Sequence, residues 1–295
     1  MTHAAERTPA TLALIGAALG FSTITIFTAL ATDAGTPLLT VMAGRYVFAT
    51  VIIVPVAGGL AAIRLPWIRI AQLSGIGGLG QATIAFLSLS ALEYIPAATL
   101  VFLFYTFPAW VALRAALLRA EPLTPARLFS LALSFGGVAV MVGWPGAEAV
   151  HPLGAGLSLT AAVAYALFIP LIDRLRAGIG PLVATSWVCV GAAVVFAIAA
   201  AMTGHLVLRA PPITWLSMLG LGLVSTVFAF TLFLKGLEVL GPVRTAIVTT
   251  TEPFFVAILA ALVLDQAIRL ETVAGGILIA SAILVLQRQR PGANR

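Results

Sequence analysis

Residues 75–117 read GIGGLGQATIAFLSLSALEYIPAATLVFLFYTFPAWVALRAAL, and residues 220–262 read GLGLVSTVFAFTLFLKGLEVLGPVRTAIVTTTEPFFVAILAAL. Aligned without a gap at an offset of 145, the two stretches agree at thirteen of 43 positions. The agreements include Gly75 with Gly220, Gly77 with Gly222, Leu92-Glu93 with Leu237-Glu238, Thr106 with Thr251 and Pro108 with Pro253. At an offset of 144, Pro37-Leu38 also matches Pro181-Leu182. Apolar stretches resemble one another by composition alone, but glycine, proline and glutamate pairs at one constant offset do not arise that way. The chain reads as two copies of one unit, residues 1–148 and 149–295.

Around these stretches 61% of the chain is hydrophobic and 9% charged, with a mean hydropathy of +1.12. A soluble domain carries roughly a quarter of its residues as charges, so a soluble globular protein is excluded. Apolar runs of about 20 residues, the length that crosses a ~30 Å hydrocarbon core, fall at 10–32, 37–59, 70–92, 97–118 and 127–144 in the first copy. In the second they fall at 154–173, 181–203, 213–234, 242–264 and 271–287. Short connections make consecutive spans antiparallel neighbours, and the first run is too long for a signal-peptide core, so it is expected to be retained. The expected fold is an all-α integral membrane protein of ten transmembrane helices. Five spans is an odd number, so the second copy enters the membrane upside down and the pair forms an inverted repeat around a central cavity. Secondary transporters are commonly built this way.

Cytoplasmic loops carry the excess of lysine and arginine. One side holds Arg7, Arg64, Arg69, Arg114, Arg119, Arg127, Arg174, Arg176, Lys235, Arg244, Arg288, Arg290 and Arg295; the other holds Arg209 and Arg269, and Arg45 lies within a span. Both termini are expected in the cytoplasm.

A net charge of +6 and a pI near 10.4 would suit a nucleic-acid binder, but the basic residues stand singly and form no patch, so no nucleic-acid partner is expected. The single cysteine, Cys189, excludes an intrachain disulfide and a cysteine metal site. His3, His151 and His205 fall in the N-terminal tail or in connections, which leaves no catalytic triad or metal cluster to assemble. No enzyme activity and no cofactor are expected. Gly75, Gly77 and Gly80 satisfy GxGxxG, but inside an apolar span with no strand before them they read as packing residues. No Walker A sequence is present to support ATP-driven transport by this chain alone.

Charges within the hydrocarbon cost at least a few kcal/mol each and normally face a cavity or a partner. Arg45 in the second span and Glu252 in the ninth are such charges. Arg45 could grip a substrate carboxylate through its fork, and Glu252 a substrate ammonium or a proton; alternatively each is held by packing hydrogen bonds, or the two pair together. Thr245, Thr249 and Glu252 recur at i, i+4 and i+7 as one polar stripe. Gln81 and Thr226 are equivalents at offset 145 and are expected to face each other across the pseudo-symmetry axis. Trp67, Trp144 and Trp215 sit at span ends as interfacial anchors. Tyr105, Tyr165 and Trp187 lie deeper and are expected to line the pathway, since a deep hydroxyl needs a polar partner. Phe86, Phe168 and Phe230 read as packing. Gly16 and Gly20 are spaced for close helix approach, and Pro108 and Pro253 should kink their helices near mid-span.

Several of these stretches resemble a known family. Ala43-Gly44-Arg45-Tyr46 lies in the second span; Phe107-Pro108-Ala109 precedes Arg119-Ala120-Glu121-Pro122-Leu123-Thr124; Thr251-Glu252-Pro253-Phe254 precedes Leu264-Asp265. Together they resemble the drug/metabolite transporter superfamily and its EamA-type exporters, over essentially the whole chain. Leu103-Phe104-Tyr105-Thr106-Phe107-Pro108 looks most like the YddG-type exporters of aromatic and other amino acids. A departure is Val163-Ala164-Tyr165, where the superfamily often carries a Trp-Ala pair. The resemblance implies a secondary exporter in a bacterial-type inner membrane, working by alternating access on small-molecule substrates, with aromatic and large apolar amino acids foremost. The alternative it implies is a broad-specificity drug/metabolite efflux transporter.

Overall fold

A computed structural model of the chain describes residues 2–95, 97–118, 124–142, 151–263 and 270–288. Arg119-Ala120-Glu121-Pro122-Leu123, Trp144, Leu264-Asp265, Arg269, Arg290, Arg295 and the boundary between the two expected units lie outside the described residues.

The described chain is predominantly helical, and no strand occurs among these residues. Helices α1 (Thr2–Asp33) and α2 (Leu38–Val56) are followed by α3 (Trp67–Ser90), α4 (Ala97–Phe104), α5 (Phe107–Leu117) and α6 (Pro125–Val142). Then come α7 (Pro152–Leu175), α8 (Pro181–Met202), α9 (Pro212–Thr249), α10 (Glu252–Val263) and α11 (Leu270–Arg288). Proline opens α6, α7, α8 and α9, the first-turn position where its missing N–H costs nothing and its fixed φ suits a helix. Among the described residues, seven helical runs are long and apolar enough to cross a membrane, and Pro125–Val140, Glu252–Val263 and Leu270–Val285 are shorter apolar helices. The protein is a multi-pass membrane protein, since only helices or closed barrels satisfy their backbone in lipid.

The eighth and ninth expected spans meet differently from the sequence reading, which ended one at 234 and began the next at 242. Helix continues to Leu240, and the chain turns at Gly241 alone, with φ 72° and ψ 171°. Glycine adopts that conformation freely, and Pro242 restarts the helix directly.

Helix α1 packs on α9 and α10, whereas α7 packs on α3, α4 and α5; α2 lies against α8, and α6 against α11. Missing side chains set the closest crossings. A Cβ on Gly20 would stand 2.7 Å from the Ala229 Cβ, and one on Gly16 3.1 Å from Leu232, so this pair does bring α1 onto α9. Two stretches widen into π turns, Gln72–Gly78 in α3 and Leu221–Phe228 in α9. The first lies against α8 and the second against α2. At the α3–α8 contact Gly78 meets Gly191 backbone to backbone, and a Cβ on Gly191 would fall 1.9 Å from the Ser74 carbonyl oxygen.

Replacing Gly191 by Ala is therefore expected to force α3 and α8 apart and destabilise the protein by about 1–3 kcal/mol, the range for overpacking. Gly156→Ala, where a Cβ meets nothing within 4 Å, should be neutral or slightly stabilising. Melting temperatures of the two variants in the same detergent check the pair.

Candidate functional site

The helices enclose a cavity of about 190 Å³. On one side stand Phe21 and Thr25 of α1, Phe230 of α9 and Glu252 at the start of α10. On the other stand Gln81 and Ser88 of α3, Phe104 at the end of α4, Tyr105 just after it and Tyr165 of α7, with Arg45 of α2 closing the wall. The lining continues through Leu89, Leu100 and Val101, which lie toward the α3–α4 end of the bundle. At the opposite end Arg176, 3% exposed, bonds Asp173 at 2.7 Å and bridges to Glu238 of α9 at 3.1 Å. That ion pair joins the end of α7 to α9.

Arg45 is 4% exposed yet reaches both this cavity and a pocket of about 10 Å³ beside it. Its Nε donates to Thr226 Oγ1 at 2.8 Å, and the Thr226 hydroxyl donates to the Leu221 carbonyl at 2.8 Å. The guanidinium carbon lies 5.0 Å from the Tyr46 ring centroid, a cation–π distance. Tyr46 stacks on Phe196 at 5.7 Å, and its hydroxyl accepts from Gln81 Nε2 at 3.3 Å. The Tyr105 hydroxyl faces the Glu252 carboxyl group. Arg45 and Glu252 do not pair with one another among the described residues, so of the alternatives for these charges, mutual pairing is removed. Glu252 sits in the first turn of α10, where the N-terminal dipole favours a carboxylate.

An aromatic cluster supports the wall. Phe104 lies nearly parallel to Tyr165 at 5.6 Å, Phe107 meets the same ring edge-on at 4.8 Å, and Phe230 stacks on Phe233 at 5.9 Å. Such offset and edge-on pairs each add about 0.5–1.5 kcal/mol beyond area burial.

The helices that carry this wall are broken, and the breaks fall before the prolines. Helix stops at Tyr105-Thr106 and again at Thr250-Thr251, positions related by the offset of 145. Pro108 and Pro253 then occupy the first turn of α5 and α10, where no helical hydrogen bond is lost. The expected mid-helix kinks are thus interruptions two and three residues upstream. At both, the bonding is the same: Thr106 N–H and hydroxyl donate to the Leu103 carbonyl at 3.2 and 2.7 Å, and Thr251 N–H and hydroxyl to the Val248 carbonyl at 3.2 and 3.0 Å.

Of the residues singled out from the sequence, Arg45, Gln81, Tyr105, Tyr165 and Glu252 are brought together at the cavity, and Thr226 joins Arg45 and Gln81 at the small pocket. Trp187 and Thr249 go elsewhere. The Trp187 indole N–H donates to the Ile63 carbonyl at 2.8 Å, tying α8 to the α2–α3 connection. The Thr249 hydroxyl bonds back to Thr245 and Ala246 inside its own helix. Trp67 and Phe86 are 76% and 51% exposed and are not among the residues that line the cavity. Phe21, Thr25, Ser88, Phe104 and Phe230 line the cavity without having been assigned to it; Phe230 was read as packing, and Phe104 stood unread inside a quoted stretch.

Trp187→Phe leaves the buried Ile63 carbonyl without its donor and is expected to cost about 1–3 kcal/mol. Tyr165→Phe, whose hydroxyl makes no hydrogen bond among the described residues, should stay within about 0.5 kcal/mol. Denaturation of both variants in detergent distinguishes the two roles.

No protein of curated function matches the chain in sequence. Among solved structures, one described as "Crystal structure of protein" superposes with a TM-score of 0.79, covering 96% of this chain and 100% of the other at 22% identity. That likeness establishes the fold. The profile of the EamA-like transporter family matches twice in succession, over residues 8–143 and again over 152–288. Almost the whole chain is covered by those two matches, and the chain belongs to the EamA-like transporter family.

Proposed function

We propose that this membrane transporter of small metabolites is a secondary exporter of aromatic and large apolar amino acids. The observation that carries this reading is the cavity itself, in which an arginine and a glutamate that do not pair with one another face a wall of Phe21, Phe104, Tyr165 and Phe230. A zwitterion with an apolar side chain satisfies all three features: carboxylate on Arg45, ammonium on Glu252 and Tyr105, side chain on the aromatic rings. Gln81 supplies a further polar contact. Drug-sized ligands occupy pockets of roughly 300–1,000 Å³, whereas this cavity measures about 190 Å³, which favours the smaller metabolite.

The architecture we assign is ten spans in two inverted five-helix units, residues 1–148 and 149–295, with both termini in the cytoplasm of a bacterial-type inner membrane. Support comes from the family's double match, from the helix breaks at one offset, and from the exchange in which α1 packs on α9 while α7 packs on α3. The arginine-rich ends are then cytoplasmic. The Arg176–Glu238 pair closes that side, and the cavity extends from Arg45 toward the other, a state accessible from outside. Alternating access rocks α1, α9 and α10 against α3, α4, α5 and α7, and parts that ion pair.

The test is uptake of radiolabelled phenylalanine, tryptophan, methionine, threonine and alanine into liposomes holding the purified protein. Saturable flux competed by the aromatic and large apolar members is expected, with Glu252→Gln raising KM about tenfold or more, the worth of a charge-assisted hydrogen bond. No flux of any amino acid, with movement of dyes instead, would replace this reading by broad-specificity efflux.

A further inference from the structure

We propose that Thr226 is a positioning residue, which the π turn of α9 presents to Arg45 so that the guanidinium is held ready for a carboxylate that Thr226 itself never touches. The inference rests on the reading of Arg45 as the carboxylate partner.

The bonding has a fixed direction. A threonine hydroxyl has one proton, and here it goes to the Leu221 carbonyl at 2.8 Å. The oxygen is left only to accept, and what it accepts is the Nε–H of Arg45 at 2.8 Å. Arginine engages a carboxylate either side-on, through Nε and one terminal nitrogen, or end-on through both terminal nitrogens. Thr226 occupies Nε, and Arg45 makes no other hydrogen bond among the described residues. The end-on fork is what remains for the ligand.

Thr226 lies within the π turn of α9. Every other serine or threonine hydroxyl that bonds back to its own helix, among the described residues, reaches three or four residues. Thr226 reaches five, to Leu221, across the widened turn Leu221–Phe228. Back-bonded hydroxyls of regular helix also meet a neighbouring helix here, as Thr185 meets Thr231 and Thr23 meets Ser225; what the wider turn sets is the register, with the Thr226 proton directed five residues back and its oxygen turned to Arg45 of α2. Gly222 in the same turn allows the approach, since a Cβ there would stand 2.8 Å from the Phe48 Cβ and 3.1 Å from the Arg45 carbonyl oxygen.

Space places Thr226 outside the ligand's reach. The pocket it shares with Arg45, Tyr46 and Gln81 measures about 10 Å³, room for about one water molecule and not for a carboxylate with its carbon skeleton. The large cavity is lined by Arg45 and Gln81 but not by Thr226. The residue thus acts through Arg45, unlike the substrate contact its sequence position suggested.

The test compares phenylalanine with phenylethylamine, which lacks the carboxylate, as substrates of reconstituted wild type, Thr226→Val, Thr226→Ser, Arg45→Gln and the Thr226→Val/Arg45→Gln double variant. Thr226→Val is expected to raise KM for phenylalanine about tenfold and leave phenylethylamine unchanged, Thr226→Ser to stay within twofold, and the valine change to add nothing once Arg45 is gone. Equal losses for both substrates, or a wild-type KM for phenylalanine in Thr226→Val, would overturn the positioning role. If Thr226→Val does not fold, Thr226→Ala measured against Thr226→Ser carries the same comparison. A wild-type KM for phenylalanine in Arg45→Gln would overturn the carboxylate reading of Arg45 instead, and the positioning role with it. Loss in Arg45→Gln without loss in Thr226→Val would remove the positioning role alone.

Discussion

Inside a bilayer no water is available to a peptide group, and each N–H and C=O left unpaired costs several kcal/mol. A chain of this composition answers by remaining helical almost everywhere, and the few places where it departs from regular helix must each find a partner for what they release. Tyr105-Thr106 and Thr250-Thr251 do so with threonine hydroxyls that return to the carbonyl three residues back. The π turn of α9 does so with Thr226. Irregular backbone at membrane depth is tolerated where it borders a cavity or is buried in protein, and both broken helices border the cavity described above. The departures from regular helix are where polar atoms become free to meet something other than their own chain.

The same constraint explains how a buried arginine can stand without a carboxylate. A hydrogen bond from Nε and the face of Tyr46 stabilise the Arg45 guanidinium in place, and the remaining N–H groups need a wet or occupied cavity. Arg176 is the contrasting case, with two carboxylates on it. One arginine ties two helices together through carboxylates, and the other has no salt bridge among the described residues. Tyr46 links the two polar groups of the wall, since it lies against Arg45 and accepts from Gln81.

Much of this was legible in the sequence. Length and hydropathy locate the apolar helices, because a span is a run of residues and needs no knowledge of neighbours. Arg45 and Glu252 stood out for the same reason, as charges where charges are costly. The constant offset found Gln81 with Thr226, which do meet at one pocket. What stayed hidden depends on which way a side chain turns. Trp187 is as deep as Tyr165 in the sequence, yet its indole finds the Ile63 carbonyl at a helix connection. Thr249 sits in a polar stripe whose hydroxyl is consumed by its own helix. The prolines signalled a bend but not its place, because a proline is equally content as the first residue of a new helix.

Comparing the two matched segments at their common offset separates backbone from side chain. The breaks coincide, with the same threonine bonds and the same proline two residues on, whereas the side chains beside them do not: Phe107 stands where the second segment has Glu252, and Phe104 and Tyr105 where it has Thr249 and Thr250. A break is a property of the individual helix, needed in each copy that must widen around a cavity, so it is retained in both. Both segments supply aromatic rings to the cavity, Phe21 and Phe104 from the first and Tyr165 and Phe230 from the second, whereas Arg45 comes from the first alone and Glu252 from the second alone; two segments that share a backbone pattern thus differ in the charges they place on it.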